Sequence, residues 1–143
     1  MSEILKDTLD IERHPPMPSS FSAPYWEASR QKKLLVQRCI RTGKYQWFAR
    51  PVSIFSGRRD LEWREVCGRG EIFTWTVTRR GPGAFRGHEP YMVATVTLDV
   101  GVNVIANLIH CPLDKCRVGL KVVPYWVPLP NGMHLLMFQP DEG

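Results

Sequence analysis

Apolar and polar residues alternate in short runs along the second half of the chain, and glycine or proline separates the runs. Alternation is the pattern of a half-buried β-strand, and the Val, Thr, Trp, Tyr and Phe of these runs favour strands. The runs lie at residues 61–66, 71–77, 91–99, 102–109, 118–127 and 132–138. Gly68 and Gly70 bend the chain after the first run, and Gly101 suits a hairpin turn. We therefore predict five or six strands that form a five-stranded Greek-key barrel of the OB type.

The first half of the chain divides into an arm and a small lobe. Residues 1–23 include a proline-rich stretch that forbids helix, so we expect an extended, docking or flexible arm. Ser22 as a cap and Pro24 near the first turn predict a helix over residues 24–32. A strand at 34–39, a return at 43–48 and a turn at 51–57 complete the lobe. The expected domains are therefore the arm at 1–23, the lobe at 24–60 and the barrel at 61–143.

The lobe carries two pairs of residues at the spacing of a zinc ribbon. Cys39 and Thr42 form one pair, Ser53 and Ser56 form the other, and ten residues separate the pairs. A ribbon of this kind holds Zn²⁺ tetrahedrally between two C-x-x-C turns. Here only Cys39 supplies a thiol, and the three hydroxyls are hard, neutral ligands that hold Zn²⁺ poorly. We predict a rubredoxin-like ribbon that has lost its metal and binds no cofactor; the alternative is an accidental spacing.

Composition places the chain among globular proteins. Hydrophobic residues make up 43% of it, enough for a core, and no apolar run approaches the roughly 18 residues of a membrane span. The acidic amino terminus does not resemble a signal peptide. The four cysteines lack the paired spacing of a secreted scaffold, so we expect reduced thiols and a cytoplasmic protein. Cys111 and Cys116 are a weak candidate for half a metal site, and the segment between them is expected to form one helical turn.

Positive charge is concentrated in and around the lobe. Residues 30–69 contain eleven Lys or Arg against three acids, whereas the whole chain carries +5. Such a cluster favours a phosphate-bearing partner or an acidic protein face over a merely solvated basic surface.

Short blocks along the chain resemble a known family. They occur at residues 24–28, 34–39, 50–51, 60–63, 68–70, 75–77, 90–91, 119–122 and 138–140. Their order is that of the zinc-ribbon and OB-fold proteins called domain of unknown function 35. Positions 39, 42, 53 and 56 match that family's ribbon cysteines, and this chain departs from the pattern at three of them.

The resemblance implies an accessory role. Proteins of this family look like partners of thiolase-type enzymes that transfer, thiolyse or cleave acyl groups of CoA esters, including steroid side-chain esters. The resemblance therefore implies a non-catalytic subunit that assembles with a thiolase-like enzyme and contributes to acyl-CoA binding.

The loop at residues 79–89 is the candidate contact with CoA or with the partner. It carries Arg79, Arg80 and Arg86, together with His88 and a Phe85 that we expect to be exposed. Arginine recognises phosphate with a planar fork, and the loop's glycines permit close approach. The alternative without a binding role is a mobile loop whose arginines only keep it soluble.

Catalysis by the chain itself is less favoured. Cys67 is the best candidate nucleophile, but no base accompanies it, and we expect it to fill a barrel end. His88, His110 and His134 lack the spacing of a metal or relay group, and His134 is expected at the barrel rim. The carboxylates Asp60, Glu62 and Glu65 lie among arginines that keep them ionised. We therefore predict no free-standing enzyme.

The sequence leaves two further expectations. An OB barrel with a basic lobe and several aromatic side chains suits single-stranded nucleic acid, and this is the alternative function, although most of these aromatics alternate inward along their strands. The aromatics in question are Trp47, Phe48, Trp63, Trp75 and Phe85. Aromatic residues that leave an apolar surface also predict a homodimer or a hetero-oligomer. Those residues are Trp26, Trp47, Phe48, Trp126 and Phe138.

Overall fold

The structure of the protein is a computed structural model that describes residues 5–142. Residues 1–4 of the expected arm and residue 143 of the expected barrel lie outside this range. Within it the chain forms one α-helix and eight strands: α1 (Ala23–Ser29), β1 (Leu34–Cys39), β2 (Tyr45–Gln46), β3 (Leu61–Val66), β4 (Gly70–Thr78), β5 (Tyr91–Leu98), β6 (Asn103–Leu108), β7 (Lys121–Pro128) and β8 (His134–Pro140). Short 3₁₀ turns lie at Gly83–Phe85 and Leu113–Lys115, the second of them where one helical turn was predicted.

Five strands close into a barrel in the order β4-β5-β6-β8-β7. Strands β6 and β8 run parallel and meet at Leu108 and Phe138, while the other neighbours are antiparallel. Strands β4 and β7 close the barrel at Gly70 and Val122. A Cβ on Gly70 would lie 2.5 Å from the Thr97 carbonyl oxygen, so only glycine fits there. The prediction of a mainly β protein with a five-stranded OB barrel is confirmed.

The barrel core follows from the alternation seen in the sequence. In β5 the side chains of Met92, Ala94, Val96 and Leu98 are buried, and those between them are half-buried. Phe138 on β8 is fully buried in the same core. Each large apolar side chain buried in this way contributes about 1.5–3 kcal/mol to stability.

Strand β3 does not belong to the barrel. It pairs with β1 over its whole length, from Leu34 opposite Val66 to Cys39 opposite Leu61, and forms the sheet β2-β1-β3. The run at 61–66, expected among the barrel strands, therefore pairs within the sheet of the lobe, and the first strand of the closed barrel begins at Gly70. Alternation identified β3 as a strand but carried no information about its partner.

Helix α1 joins the lobe to the barrel. It ends at Ser29 rather than at residue 32, because Lys32 adopts a left-handed φ of 57° and the Lys33 N–H turns back to the Ala28 carbonyl. The Ser29 hydroxyl accepts a hydrogen bond from the His134 N–H at 3.1 Å, and His134 Nδ1 donates to the Ser29 carbonyl at 2.7 Å. His134, expected as a rim residue, therefore connects two elements.

The arm from residue 5 onward docks on the barrel. Thr8 and Ile11 are buried, and the Lys6 N–H donates to the Pro90 carbonyl at 2.8 Å. The sequence allowed an extended, a docking or a flexible arm, and the structure shows that the arm docks. Among residues 5–142, no helix has the length and apolar content needed to cross a membrane.

Candidate functional site

Two turns of the lobe have the same backbone hydrogen bonds. In residues 39–44, the Cys39 N–H donates to the Lys44 carbonyl and the Gly43 N–H donates to the Cys39 carbonyl, both at 2.8 Å. In residues 53–58, the Ser53 N–H donates to the Arg58 carbonyl at 2.8 Å, and the Gly57 N–H donates to the Ser53 carbonyl at 2.9 Å. Gly43 and Gly57 have φ of 75° and 71°, a conformation that favours glycine. The two turns are therefore equivalent pieces of backbone.

The first residues of the two turns face each other. The Ser53 and Thr42 hydroxyls donate hydrogen bonds to Cys39 Sγ, and the backbone N–H groups of Thr42 and Arg41 add to them. Together these bonds lower the pKa of Cys39 to about 7, although burial alone would raise it. Ser53 Oγ in turn accepts from the N–H groups of residues 55 and 56. Cys39 and Ser53 are both fully buried. Sγ and Oγ thus occupy equivalent positions at the junction of the turns.

The residues at these four positions do not fit a zinc ion. One thiol and three hydroxyls are a poor donor set for Zn²⁺, and the Ser53 hydroxyl is already engaged in hydrogen bonds. Across residues 5–142, no group of three or more His, Cys, Asp or Glu side chains is placed to hold a metal. That the lobe is a ribbon that has lost its metal stays a prediction.

Two buried glutamines hold the second turn against the sheet. Gln46 Nε2 donates to Gln37 Oε1 at 2.8 Å and to the Val52 carbonyl at 3.2 Å, and its Oε1 accepts from the Ile54 N–H at 2.9 Å. Gln37 exchanges two bonds of 2.9 Å with the backbone of Arg50. The sequence analysis missed this network; a glutamine within the apolar run at 34–39 was the available signal.

The turns present apolar side chains to solvent. Ile40 and Ile54, which directly follow Cys39 and Ser53, are 58% and 57% exposed, and Phe55 is 39% exposed. Lys44 Nζ lies 5.5 Å from the centre of the Phe55 ring, so the two turns adjoin here. We call Ile40, Ile54 and Phe55 the turn surface. Of the aromatics expected to leave apolar surface, Phe48 is exposed, Phe138 is fully buried, and Trp26, Trp47 and Trp126 are half-buried.

The loop at residues 79–88 is clamped at both ends by one carboxylate. Glu89 accepts hydrogen bonds from the Gly81 N–H at 2.6 Å and the Gly87 N–H at 2.7 Å. The bond from Gly81 is the largest of the backbone hydrogen bonds that hold the pKa of Glu89 below its usual value. Lys6 Nζ of the arm donates to the Gly87 carbonyl at 3.0 Å. The loop therefore has a defined conformation.

The predicted site residues of this loop fall into two groups. Arg79, Arg80 and Arg86 are exposed. Phe85 is half-buried, which corrects the expected exposure: its ring lies 5.2 Å from Tyr91 of β5, and the guanidinium carbon of Arg13 in the arm lies 5.9 Å from its centre. His88 Nδ1 lies 3.3 Å from a carboxylate oxygen of Asp10, so this histidine also faces the arm.

The remaining thiols and His110 lie outside the two turns and outside the loop at residues 79–88. Cys67 lies in the connection between β3 and β4, near the turn that follows β5, but it is exposed and so does not fill the barrel end as expected. Cys111 and Cys116 are buried beside each other, and burial is the main cause that raises the pKa of Cys116 to about 12. His110 Nδ1 donates to Gln139 Oε1 at 2.9 Å, far along the chain from the other histidines.

The aromatic side chains expected to stack on nucleic acid are engaged within the protein. Trp47 and Phe48 pack edge-on against Tyr25 at 5.3 and 5.0 Å. Trp63 and Trp75 are half-buried against the core cluster. These contacts weaken the nucleic-acid alternative, because base stacking needs accessible ring faces.

The order of the elements defines a class of protein: a five-stranded OB barrel preceded by a helix and a three-stranded lobe. A family model described as the C-terminal OB-fold domain of ChsH2 matches residues 63–127. A "DUF35 domain-containing scaffold protein" of Pyrococcus furiosus is 31% identical over 98 residues, which cover 68% of this chain and 72% of that protein. The chain therefore belongs to the DUF35 family.

Other relatives extend the comparison. A "probable enoyl-CoA hydratase alpha subunit" of Thermomonospora curvata is 30% identical over 120 residues, 83% of this chain but 37% of that protein. The solved structure of an "Ltp2-ChsH2(DUF35) aldolase" matches with a TM-score of 0.77 and 28% identity, over 88% of this chain and 98% of that one. A DUF35 structure from Sulfolobus solfataricus, with a TM-score of 0.63 and 13% identity over 86% of this chain and 87% of that one, shares the fold.

Proposed function

We propose that the chain is a non-catalytic accessory subunit of a complex that processes acyl-CoA esters, with a thiolase-like enzyme as its partner. Relatives named as scaffold proteins, as an enoyl-CoA hydratase subunit and as part of an aldolase support the proposal. In such a complex the partner performs the acyl transfer, thiolysis or retro-aldol cleavage, and this chain supports assembly.

The turn surface is the observation that carries the proposal. A single exposed apolar residue is ordinary, but Ile40, Ile54 and Phe55 lie together on two adjoining turns. Hydrogen bonds between the turns and the buried glutamines fix the backbone beneath them. A surface ordered in advance loses little conformational entropy on association, so it is well suited to docking.

The exposed arginines of the loop supply a second contact in this proposal. Glu89 holds the loop in shape, so Arg79, Arg80 and Arg86 are presented with limited loss of backbone freedom on binding. Guanidinium groups form charge-assisted, bidentate hydrogen bonds with phosphate or carboxylate. The phosphates of CoA or an acidic face of the partner offer such acceptors.

Calorimetry with the partner tests the proposal. The partner is recovered with the tagged chain and identified by mass spectrometry, and its affinity is measured for the wild type and two variants. The first replaces Arg79, Arg80 and Arg86 with Ala, and the second is Ile40→Asp with Ile54→Asp. Both should weaken association while leaving stability nearly unchanged, since exposed side chains contribute little to folding.

Salt and a control variant sharpen the result. The effect of the arginine variant should shrink at high ionic strength, because salt screens exposed charges. Arg117→Ala removes an exposed charge elsewhere and should leave affinity unchanged. Equal affinities for wild type and both variants, or a recovered partner unrelated to acyl-CoA chemistry, would count against the proposal.

A further inference from the structure

Strand β3 leaves one backbone edge of the lobe unpaired. Among residues 5–142, β3 pairs with β1 alone and is the outermost strand of the sheet β2-β1-β3. It extends over six residues, Leu61–Val66, with no proline or glycine to interrupt it. An edge of this kind offers a row of backbone N–H and C=O groups to another strand. The edge is therefore a candidate interaction surface.

The direction of these backbone groups follows from the bonds that β1 makes. The Ile40 N–H donates to the Asp60 carbonyl at 2.8 Å, whereas the Cys39 N–H donates to the Lys44 carbonyl on the other side of β1, also at 2.8 Å. Hydrogen-bonded pairs recur at every second residue of an antiparallel ladder. Even-numbered residues of β3 therefore direct their backbone groups to β1. The odd-numbered residues direct theirs outward, and they are Leu61, Trp63 and Glu65.

A second copy of the chain can pair with this edge in few ways. Two identical strands pair antiparallel about a two-fold axis, and outward groups must meet outward groups, so the axis passes through a residue and not between two. With the axis at Trp63, residues 61–65 of the two copies overlap and form about six backbone hydrogen bonds. A shift to the next register moves the axis to Glu62 or to Arg64.

Charge selects one of these registers. With the axis at Trp63, Glu62 of each copy lies opposite Arg64 of the other, whereas the shifted registers place two Glu62 or two Arg64 side chains opposite each other. Glu62 already accepts a hydrogen bond from Arg38 Nη1 of β1 at 2.7 Å, so the new pair would extend a row of alternating charges across both sheets. The Arg64 side chain is 52% exposed, so a second copy can reach it.

We propose that the chain forms a homodimer in which the β3 edges of two copies pair antiparallel about a two-fold axis at Trp63. The two lobes then share one continuous sheet, and Glu62 and Arg64 form two ion pairs across the axis. The sequence predicted a homodimer or a hetero-oligomer without locating the contact. This inference is independent of the proposed function, because the isolated chain is sufficient to test it.

Sedimentation equilibrium of the isolated chain tests the pairing. The wild type should show a monomer–dimer equilibrium in the micromolar range. Glu62→Arg and Arg64→Glu should each raise the Kd of the dimer at least about tenfold, because each variant places like charges opposite each other at both pairs. An equal mixture of the two variants should associate about as tightly as the wild type, since one copy then supplies two arginines and the other supplies two glutamates.

A control variant and a fold check accompany this measurement. Arg117→Glu reverses an exposed charge outside the lobe and should leave the Kd unchanged. Circular dichroism checks that each variant is folded. Because Glu62 also binds Arg38 within the chain, recovery of the dimer in the mixture separates the intermolecular contact from any effect on the lobe itself.

Amide hydrogen exchange locates the contact on the backbone. The amides of Leu61, Trp63 and Glu65 should exchange more slowly as the protein concentration rises, whereas the even-numbered amides of β3 are bonded to β1 and should not respond. Glu65→Pro removes one outward N–H and leaves the ladder with β1 intact, so it should weaken the dimer at least several-fold. Glu65→Ala keeps that N–H and should weaken the dimer much less.

Three results would overturn the inference. The first is a wild type that stays monomeric at high micromolar concentration. The second is a mixture of Glu62→Arg and Arg64→Glu that associates no better than either variant alone. The third is protection of the odd-numbered β3 amides only after the recovered partner is added, which would assign the edge to that partner. A dimer formed by a chain that recovers no acyl-CoA enzyme would refute the accessory role and support this inference.

Discussion

At the scale of single residues, Glu89 holds the loop at residues 79–88 in one conformation. Its two carboxylate oxygens accept from Gly81 and Gly87, at opposite ends of the loop that carries the three exposed arginines. A carboxylate that binds backbone N–H groups in the folded protein is stabilised in its charged form. Protonation or removal of this one group should therefore loosen the whole loop.

Glu89→Gln should make the loop more sensitive to trypsin. The carboxamide keeps one acceptor oxygen but turns an NH₂ group toward one of the two N–H donors, so one end of the loop is released. We expect cleavage after Arg80 and Arg86 to speed up several-fold, as followed by mass spectrometry, with global stability changed much less. Glu65→Gln, which removes an exposed carboxylate of the lobe, is the control. Unchanged cleavage would show that Glu89 does not hold the loop.

Acid should reproduce that effect in the wild type. Because folding depresses the pKa of Glu89, its stabilising contribution is complete above the usual carboxyl pKa of 4.5 and is lost as the pH falls through the lower, folded-state pKa. Hydrogen exchange of the Gly81 and Gly87 amides, corrected for intrinsic rates, should therefore speed up in the wild type over this acidic range. In Glu89→Gln it should already be fast and should show no such step. A step of the same size in both proteins would assign it to another carboxyl.

At the scale of elements, the lobe is a pair of equivalent turns joined by hydrogen bonds. The turns at 39–44 and 53–58 share their backbone pattern, and the Cys39 thiol meets the Ser53 hydroxyl between them. The buried pair Gln37 and Gln46 ties the second turn to β1 and β2. Hydrogen bonds to Cys39 Sγ, and not a metal ion, are thus what the structure shows at the junction of the two turns.

Three added thiols at the predicted ribbon positions should create a metal site. The variant Thr42→Cys, Ser53→Cys, Ser56→Cys places four thiols on the two turns, and it should bind Co²⁺ with thiolate charge-transfer and tetrahedral visible bands. The wild type should show neither band, and Ser53→Cys alone, with two thiols, should bind much more weakly. A folded triple variant without tetrahedral Co²⁺ would show that the turns lack this geometry.

Gln46→Leu should destabilise the protein by about 2–4 kcal/mol. The substitution keeps the side chain buried but leaves the Ile54 N–H and the Val52 carbonyl without their partner. Urea denaturation measures the change, and Gln31→Leu at an exposed position should stay within about 0.5 kcal/mol. A loss as small as that of the control would mean that water replaces the lost bonds.

At the scale of the whole molecule, the sequence predicted what depends on local pattern and missed what depends on contacts between distant segments. The alternation of Met92, Ala94, Val96 and Leu98 identified a barrel strand and its buried face. The same alternation in β3 could not reveal that its partner is β1. The prolines of the arm excluded helix but carried no sign of the surface that the arm covers, so the burial of Phe85 was missed.

The candidate site follows the same division: the loop was predicted from the sequence, and the features that depend on contacts between segments were not. The three arginines were identified from their place in a connection between two barrel strands, and they are exposed in the structure. The turn surface was not predicted, because the exposure of Ile40 and Ile54 follows from how the two turns meet. The contact between Arg13 and the Phe85 ring was missed for a related reason, since the two residues lie 72 positions apart and meet only when the arm docks.

The most direct test of the accessory role is the rate at which a CoA ester is consumed by the chain alone, by the recovered partner alone, and by their mixture. We predict no turnover by the chain alone and a rate for the mixture that exceeds that of the partner and saturates at a fixed ratio of the two. Replacing Arg79, Arg80 and Arg86 with Ala should raise the concentration of chain needed for saturation. Turnover by the chain alone, or a mixture no faster than the partner with no complex in sedimentation, would contradict the account.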